Sequence, residues 1–257
     1  MVFIFNLVLL KNCKPINPSL RFRSIINKKS LNLIKFKRLF FKKKNNSGRN
    51  NFGHITVRHK GSGLFNLRRS VDFFRLNTED SFFISYDIDK KFSSFLGLIK
   101  YKSGLISYIL APNNLTEFLK LKTTFFTKKT DLGFVSPIGW MQPGSLIFNL
   151  ESKPNSGGKL IRAAGTFGRI INNNNNRILV KLPSKKNIYF SKFCLATIGR
   201  ASNILHFLKI LGKAGISRYL NIRPTVRGET MNPIDHPNGG RTRGGKPRRN
   251  PWGKIIK

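Results

Sequence analysis

Asp235-His236 is the pairing in this chain closest to acid–base machinery. An imidazole titrating near neutrality can act as a general base with a carboxylate to orient it. The surroundings argue against that use. No nucleophile or set of oxyanion donors is readable near the pair, and the chain's ten acids are too scattered for carboxylate-pair chemistry. The expected role is structural, with Asp235 and His236 hydrogen-bonding inside a proline-rich loop. His54 and His59 have no third ligand at a useful spacing, and Cys13 and Cys194 form no C-x-x-C pair, so no metal site and two reduced thiols are expected. A phosphate-binding P-loop, a dinucleotide fingerprint and a His-Glu-x-x-His helix are all missing from the sequence. No small-molecule substrate or cofactor of the protein's own is expected, and a hydrolase or transferase using His236 and Asp235 is the rival to the structural, non-enzymatic role.

Residues 223–240, Arg-Pro-Thr-Val-Arg-Gly-Glu-Thr-Met-Asn-Pro-Ile-Asp-His-Pro-Asn-Gly-Gly, hold the Asp-His pair. Three prolines remove backbone donors and restrict their neighbours, so neither a helix nor a central strand forms there. The segment has little apolar surface to bury, and a partner must fix its shape. Charge indicates which partner. Lys plus Arg number 48 against 10 acids, a formal net charge of +38. Residues 1–71 carry 17 basic residues and no acid, and residues 206–257 carry 12 with only Glu229 and Asp235. Residues 72–205, with 19 bases and 8 acids, are more moderate. A moderate centre between two strongly basic arms is the footprint of a globular RNA binder whose extensions run along phosphates. An anionic membrane surface fits less well, because the bases are not gathered on one amphipathic helix. Residues 1–10 are apolar but too short to span a bilayer, and they lack the basic start of a signal peptide. Abundant Phe, Asn and Lys suggest an AT-rich, organellar gene.

The elements that must position these residues read as mainly β. Residues 11–44 interleave bases with Phe22, Phe36, Phe40 and Phe41, and are expected to be an extended arm with rings for stacking or groove packing. In residues 47–63 glycines bracket a short alternating run, Ile55-Thr56-Val57-Arg58; backbone can approach backbone closely there, with Arg49, Arg58 and Lys60 near phosphates. His54 and His59 are read as surface or RNA-contacting. Strands are expected over residues 82–87, 94–101 and 104–110, the last two forming a hairpin, with one helical turn over 115–120. A second β-rich set covers 145–150, 167–171, 177–182 and 187–190, with the asparagines 172–176 in a loop. Two small barrels joined near residues 123–132 account for this pattern. The clearest helix is expected over 203–211, capped by Ser202 and ended by Gly212 and Gly215, with a structural His206 and irregular chain beyond.

These residues, in order, resemble the ribosomal protein L-two family, a universal component of the large ribosomal subunit. Similar stretches are Cys13-Lys14-Pro15, Gly48-Arg49-Asn50-Asn51 with Gly53, Ile55-Thr56-Val57-Arg58-His59 and Tyr108-Ile109-Leu110-Ala111-Pro112. Others are Leu211-Gly212-Lys213-Ala214-Gly215, Arg223-Pro224-Thr225-Val226-Arg227-Gly228 and Met231-Asn232-Pro233-Ile234-Asp235-His236-Pro237. The resemblance implies a basic N-terminal arm (1–61), an OB-type barrel (62–126), an SH3-like barrel (127–202) and a short helix with a basic extension (203–257). It implies binding to large-subunit rRNA, contacts with neighbouring ribosomal proteins and with the small subunit, and a loop near the peptidyl-transferase region containing Asn232, Asp235 and His236. Arg49, Asn50, Asn51, Arg58, His59, Lys60, Lys213, Arg223, Arg227, Arg241 and Arg243 are the expected rRNA contacts. Magnesium carried by the rRNA is compatible with this reading. A mitochondrial ribosome is the expected location, with another organellar or a bacterial-type ribosome as the alternative; an extra-ribosomal RNA-binding or chaperone protein is the alternative function. The sequence departs from the family where a usual His-Pro-His is His236-Pro237-Asn238, and where a His-Lys pair is Leu64-Phe65.

Overall fold

The structure of the protein is a computed structural model describing residues 10–27, 34–42, 45–63, 67–125, 131–173, 176–240 and 247–256. It is 33% strand and 9% helix, the mainly β class expected, with sheets consistent with an OB-type and an SH3-like barrel. Two compact units divide the chain. The larger lies within Met1–Lys44 and Phe65–Ala214, the smaller within Asn45–Leu64 and Gly215–Lys257.

In the larger unit, Ser81–Asp87 alternates buried and partly exposed residues, the period of a strand with one apolar face. It pairs antiparallel with Leu96–Tyr101, from Ser81 opposite Tyr101 to Asp87 opposite Leu96, through a bulge between Phe83 and Ser85. Leu96–Tyr101 pairs on its other side with Ile106–Leu110, giving the expected hairpin, and Lys120–Leu121 closes the far edge on Ser81–Asp87. Leu96–Tyr101 is buried on both faces: Leu96 and Leu98 enter one core with Tyr108 and Leu110, while Ile99 and Tyr101 enter a second with Phe83, Ile109 and Leu121. Gly97 lets the Phe83 ring pack closely, since a Cβ there would lie 3.1 Å from it. The second sheet has six antiparallel strands in the order Asn187–Ser191, Arg177–Lys181, Gly168–Asn173, Leu146–Phe148, Leu195–Ile198, Val135–Pro137. Ile147, Phe148, Ile170, Ile178 and Val180 are fully buried in its core. Asn172 and Asn173 continue a strand rather than opening a loop, and the Asn173 amide donates to the Gly139 carbonyl.

The few acids brace this unit from within. The Glu151 carboxylate, 1% exposed, accepts the amides of Asn155, Gly157 and Leu195. Asp87 holds Arg69 in two charge-assisted bonds of 2.9 and 3.0 Å, and the guanidinium lies 4.4 Å over the Phe40 ring. Tyr108 accepts the Phe36 amide at 2.9 Å, and burial pushes its phenol up to about 12. Asp80 meets Lys120, Lys102 and Lys122, and the Lys120 hydrogen bond leads the causes that lower its pKa. Cys13 and Cys194 are both free; burial and, secondarily, the Glu151 charge push the Cys194 thiol up to about 11.

Three local expectations change. The arm is not simply extended: Leu10–Asn12 pairs with Ser24–Ile26, Phe40–Lys42 pairs with Leu67–Arg69, and Phe36 and Phe40 pack on the core instead of remaining free. Residues 115–120 form no helical turn, because Phe83 exchanges backbone bonds with Phe118 and Leu119 and pulls the segment along the sheet. Residues 203–211 give only a 3-10 helix, Ile204–Leu208. The Ser202 hydroxyl, expected as its cap, bonds the Phe95 backbone instead, while Ser24 accepts the Ile210 amide and donates to Leu208, ending the helix early. His206 sits partly buried on this turn, and desolvation lowers its pKa. The α-helix among the described residues is Ala214–Tyr219, in the stretch expected to be irregular.

Arg69→Met should cost about 3–5 kcal/mol of stability in urea unfolding, because it leaves Asp87 buried and unpaired. Lys102→Met removes an exposed lysine and leaves Asp80 paired with Lys120 and Lys122, so it should barely move the midpoint; equal effects would mean the Arg69 pair is not a brace.

Candidate nucleic-acid interface

The smaller unit is built almost entirely of turns. In its first segment, Asn45 Nδ2 donates to the carbonyls of Gly61 and Ser62 at 3.0 and 3.1 Å, and its Oδ1 accepts the Ser47 amide. The Gly48 carbonyl takes the amides of both Thr56 and Val57. These bonds fold the alternating run Ile55-Thr56-Val57-Arg58 back against Gly48. Gly48 itself has φ +78, and a Cβ there would lie 2.2 Å from the Val57 carbonyl oxygen. Asn50 Oδ1 accepts the amides of Phe52 and His54, so its side chain shapes the loop.

The second segment docks onto the first by backbone. Lys60 and Ile222 form an antiparallel bridge, Gly61 donates to the Asn221 carbonyl at 2.9 Å, and Arg223 donates to the His59 carbonyl at 3.0 Å. His59 Nδ1 lies 2.8 Å from the Pro224 carbonyl; since a carbonyl only accepts, that nitrogen carries the proton. His59 is therefore a spacer between the two segments, with Arg58 and Lys60 on either side of it in sequence.

Further on, the chain coils around one imidazole. His236 is 8% exposed, and among the described residues it is the one buried residue of this unit. Its Nδ1 accepts the Asn238 amide at 3.1 Å, which places the proton of the neutral ring on Nε2. A Cβ on Gly228 would lie 2.3 Å from ring atoms of His236, so only glycine lets the chain cross this face. The His236 carbonyl accepts the Gly239 amide at 2.8 Å, and the Met231 carbonyl accepts that of Gly240 at 2.9 Å. The expected Asp235–His236 hydrogen bond does not form. Asp235 is exposed, its backbone amide donates to Asn232, and the imidazole nitrogen facing inward is already occupied. No carboxylate orients His236, so the base-and-orienter arrangement is not assembled.

Residues 28–118 match Ribosomal Proteins L2, RNA binding N-terminal domain, and residues 131–253 match Ribosomal Proteins L2, C-terminal domain. The large ribosomal subunit protein uL2 of Azorhizobium caulinodans is 38% identical over 96% of this chain and 91% of its own length. That of Neorickettsia sennetsu is 40% identical over 96% and 92%, and that of Mycoplasmoides gallisepticum 41% over 85% and 80%. The chain belongs to the ribosomal protein L2 family.

For an L2 chain, the placement of the expected contact residues separates two kinds. Arg49, Asn51, Arg58, Lys60, Arg223 and Arg227 are exposed in the smaller unit, as are Asn232 and Asp235; Lys213 is exposed in the larger. None of these cations has a salt bridge among the described residues, so their charge is available to an external anion. Asn50, His59 and His236 instead direct their polar atoms inward and set loop shape. Arg241 and Arg243 lie outside the described residues. Two positioning side chains escape a reading of the sequence: those of Asn45 and Asn238. The Asn238 side chain donates to the Pro247 carbonyl at 3.1 Å and accepts the Arg249 amide at 2.9 Å. A side-chain amide offers a donor and an acceptor together, which is what two successive backbone groups require.

Gly228→Ala should push His236 off its seat at roughly 1–3 kcal/mol of local strain. Hydrogen exchange should then speed up at Asn238, Gly239 and Gly240 while amides of Leu96–Tyr101 keep their protection. Unchanged exchange in the loop would remove His236 as its organiser.

Proposed function

We propose that this chain is a structural component of a large ribosomal subunit, holding rRNA through the exposed cations of its turn-built unit. The observation that carries the reading is the division of labour there: loop-shaping groups are satisfied internally, while Arg49, Arg58, Lys60, Arg223 and Arg227 face outward without carboxylate partners. Such cations gain affinity for a polyanion by releasing its counterions, and arginine forks position phosphates. Asn51 and Lys213 join them as contacts, with Arg241 and Arg243. Asn50, His59 and His236 act one step removed, by fixing the backbone from which those side chains project.

The protein is not an enzyme in this reading. His236 has no oriented acid, and Asp235 stands apart from it, so the loop with Asn232, Asp235 and His236 shapes RNA near the peptidyl-transferase region rather than moving protons. Neighbouring ribosomal proteins and the small subunit are further partners, and the ribosome is a mitochondrial one. The Phe-, Asn- and Lys-rich composition supports that placement.

Tagged chain from purified organelles, run through a low-magnesium sucrose gradient, should sediment with the large subunit at one copy each by mass spectrometry. A slow free pool alone would favour an extra-ribosomal RNA-binding or chaperone role. For the purified chain on its own large-subunit rRNA, log affinity should fall steeply with log salt, and Arg227→Gln should reduce that slope by about 1. A flat salt response would contradict the electrostatic account.

A further inference from the structure

Two segments of the smaller unit, 200 positions apart, repeat one short pattern: Arg49-Asn50-Asn51-Phe52-Gly53-His54-Ile55 and Arg249-Asn250-Pro251-Trp252-Gly253-Lys254-Ile255. They share Arg, Asn, an aromatic residue, Gly and Ile in the same places, and they fold alike. In each, the Asn amide donates to the carbonyl four residues on, at 2.9 Å for Asn50 to His54 and 2.8 Å for Asn250 to Lys254. The Asn side-chain oxygen accepts the amide of that same residue, at 2.9 and 2.8 Å. The glycine donates back to the Asn carbonyl, at 3.1 and 2.9 Å, and both glycines have φ +82. Arg49 bridges Ile55 as Arg249 bridges Ile255. The next pair outward also matches, Thr56 to Gly48 and Ile256 to Arg248, each at 2.9 Å.

This geometry explains the Asn, which supplies a side-chain acceptor, and the Gly, which supplies positive φ. It does not explain the aromatic residue. Phe52 is 87% exposed and Trp252 78%, and neither ring has a ring or cation contact among the described residues. A single exposed aromatic is ordinary. The same exposed aromatic slot at the tip of two matched, internally satisfied loops is not a requirement of the turn. At the foot of each loop an exposed arginine has no salt bridge among the described residues, and the described residues 45–63 and 247–256 contain no acid. A ligand suited to both features is flat and apolar on its faces and anionic beside them, the chemistry of an unpaired nucleotide.

We propose that the two loops are matching stacking fingers, Phe52 and Trp252 each receiving one unpaired rRNA base while Arg49 and Arg249 take an adjacent phosphate. This rests on the rRNA-binding reading above and adds where single-stranded bases are held.

With Trp140→Phe in the full chain, Trp252 is the remaining indole, and its fluorescence reports stacking. Large-subunit rRNA and poly(A) should quench it, whereas a blunt RNA duplex at equal phosphate should not. Phe52→Ala and Trp252→Ala should each weaken binding by roughly 5- to 100-fold with an unchanged salt slope, since neither ring carries charge. Trp252→Phe should retain binding. In purified large subunits, ultraviolet light should join peptides containing Phe52 and Trp252 to rRNA. Wild-type affinity in both alanine variants, equal quenching by duplex, quenching by anionic phosphatidylserine vesicles alone, or crosslinks of these peptides to protein rather than RNA would each overturn the fingers. Those outcomes leave the rRNA reading intact provided the parent chain still binds rRNA with a steep salt slope; loss of that parent binding would instead defeat the function proposed above.

Discussion

Carboxylates are scarce in this chain, ten against 48 cations, and where they are placed governs the rest of the structure. Asp87 and Glu151 are withdrawn into the larger unit, one gripping Arg69 and the other collecting three backbone amides. Asp72 accepts the amides of Phe74 and Arg75 in its own turn, and Asp89 accepts Lys91 in its own turn and Arg69 from the distant strand Leu67–Arg69. Asp80 concentrates three lysines at one sheet edge. Almost nothing acidic is left for the surface of the smaller unit, where Glu229 and Asp235 are the two acids described. The barrels are thus held partly by charge, and the turn-built unit is left with uncompensated charge of one sign.

The two units are stabilised by different physics. The larger has a conventional interior, in which a strand such as Leu96–Tyr101 contributes to two apolar cores. Burial of that kind gives roughly 1.5–3 kcal/mol per large side chain. The smaller has no fully buried apolar side chain among its described residues. Backbone bonds, asparagine side chains and glycines placed against carbonyls or rings hold it. Net hydrogen-bond contributions are about 1 kcal/mol each, and mutual repulsion of the cations opposes them. Its marginal balance is what an RNA-bound element shows when the nucleic acid completes the fold.

Strands and the hairpin were legible because period-two burial depends only on neighbouring residues; Ser81–Asp87 and Ile106–Leu110 fall where the alternation puts them. Arg49, Arg58 and Lys60 could be picked out from charge and glycine spacing, whereas Arg223 and Arg227 were picked out with the help of the family resemblance. Helix placement was not legible, because Ser24 and Phe95, far away in sequence, take the groups on which residues 202–210 would need to rely. Nor could sequence show that residues 45–63 and 215–224 share a backbone ladder, since hydrogen bonds such as Arg223 to His59 involve no side-chain pattern. Asn238 was read only as a lost histidine; its gain, two bonds to the chain after residue 246, appears only when that chain is in place.

That ladder joins segments made at very different times. Residues near 45–64 emerge from the translating ribosome long before residues 215–257, with about 150 residues between them. At synthesis rates of roughly 5–20 residues per second, the first segment waits about 8–30 seconds for its partner. The barrels can form during that interval, but the cationic turns cannot close. Until residues 221–224 arrive, the first segment carries its positive charge without the backbone partners that complete the ladder.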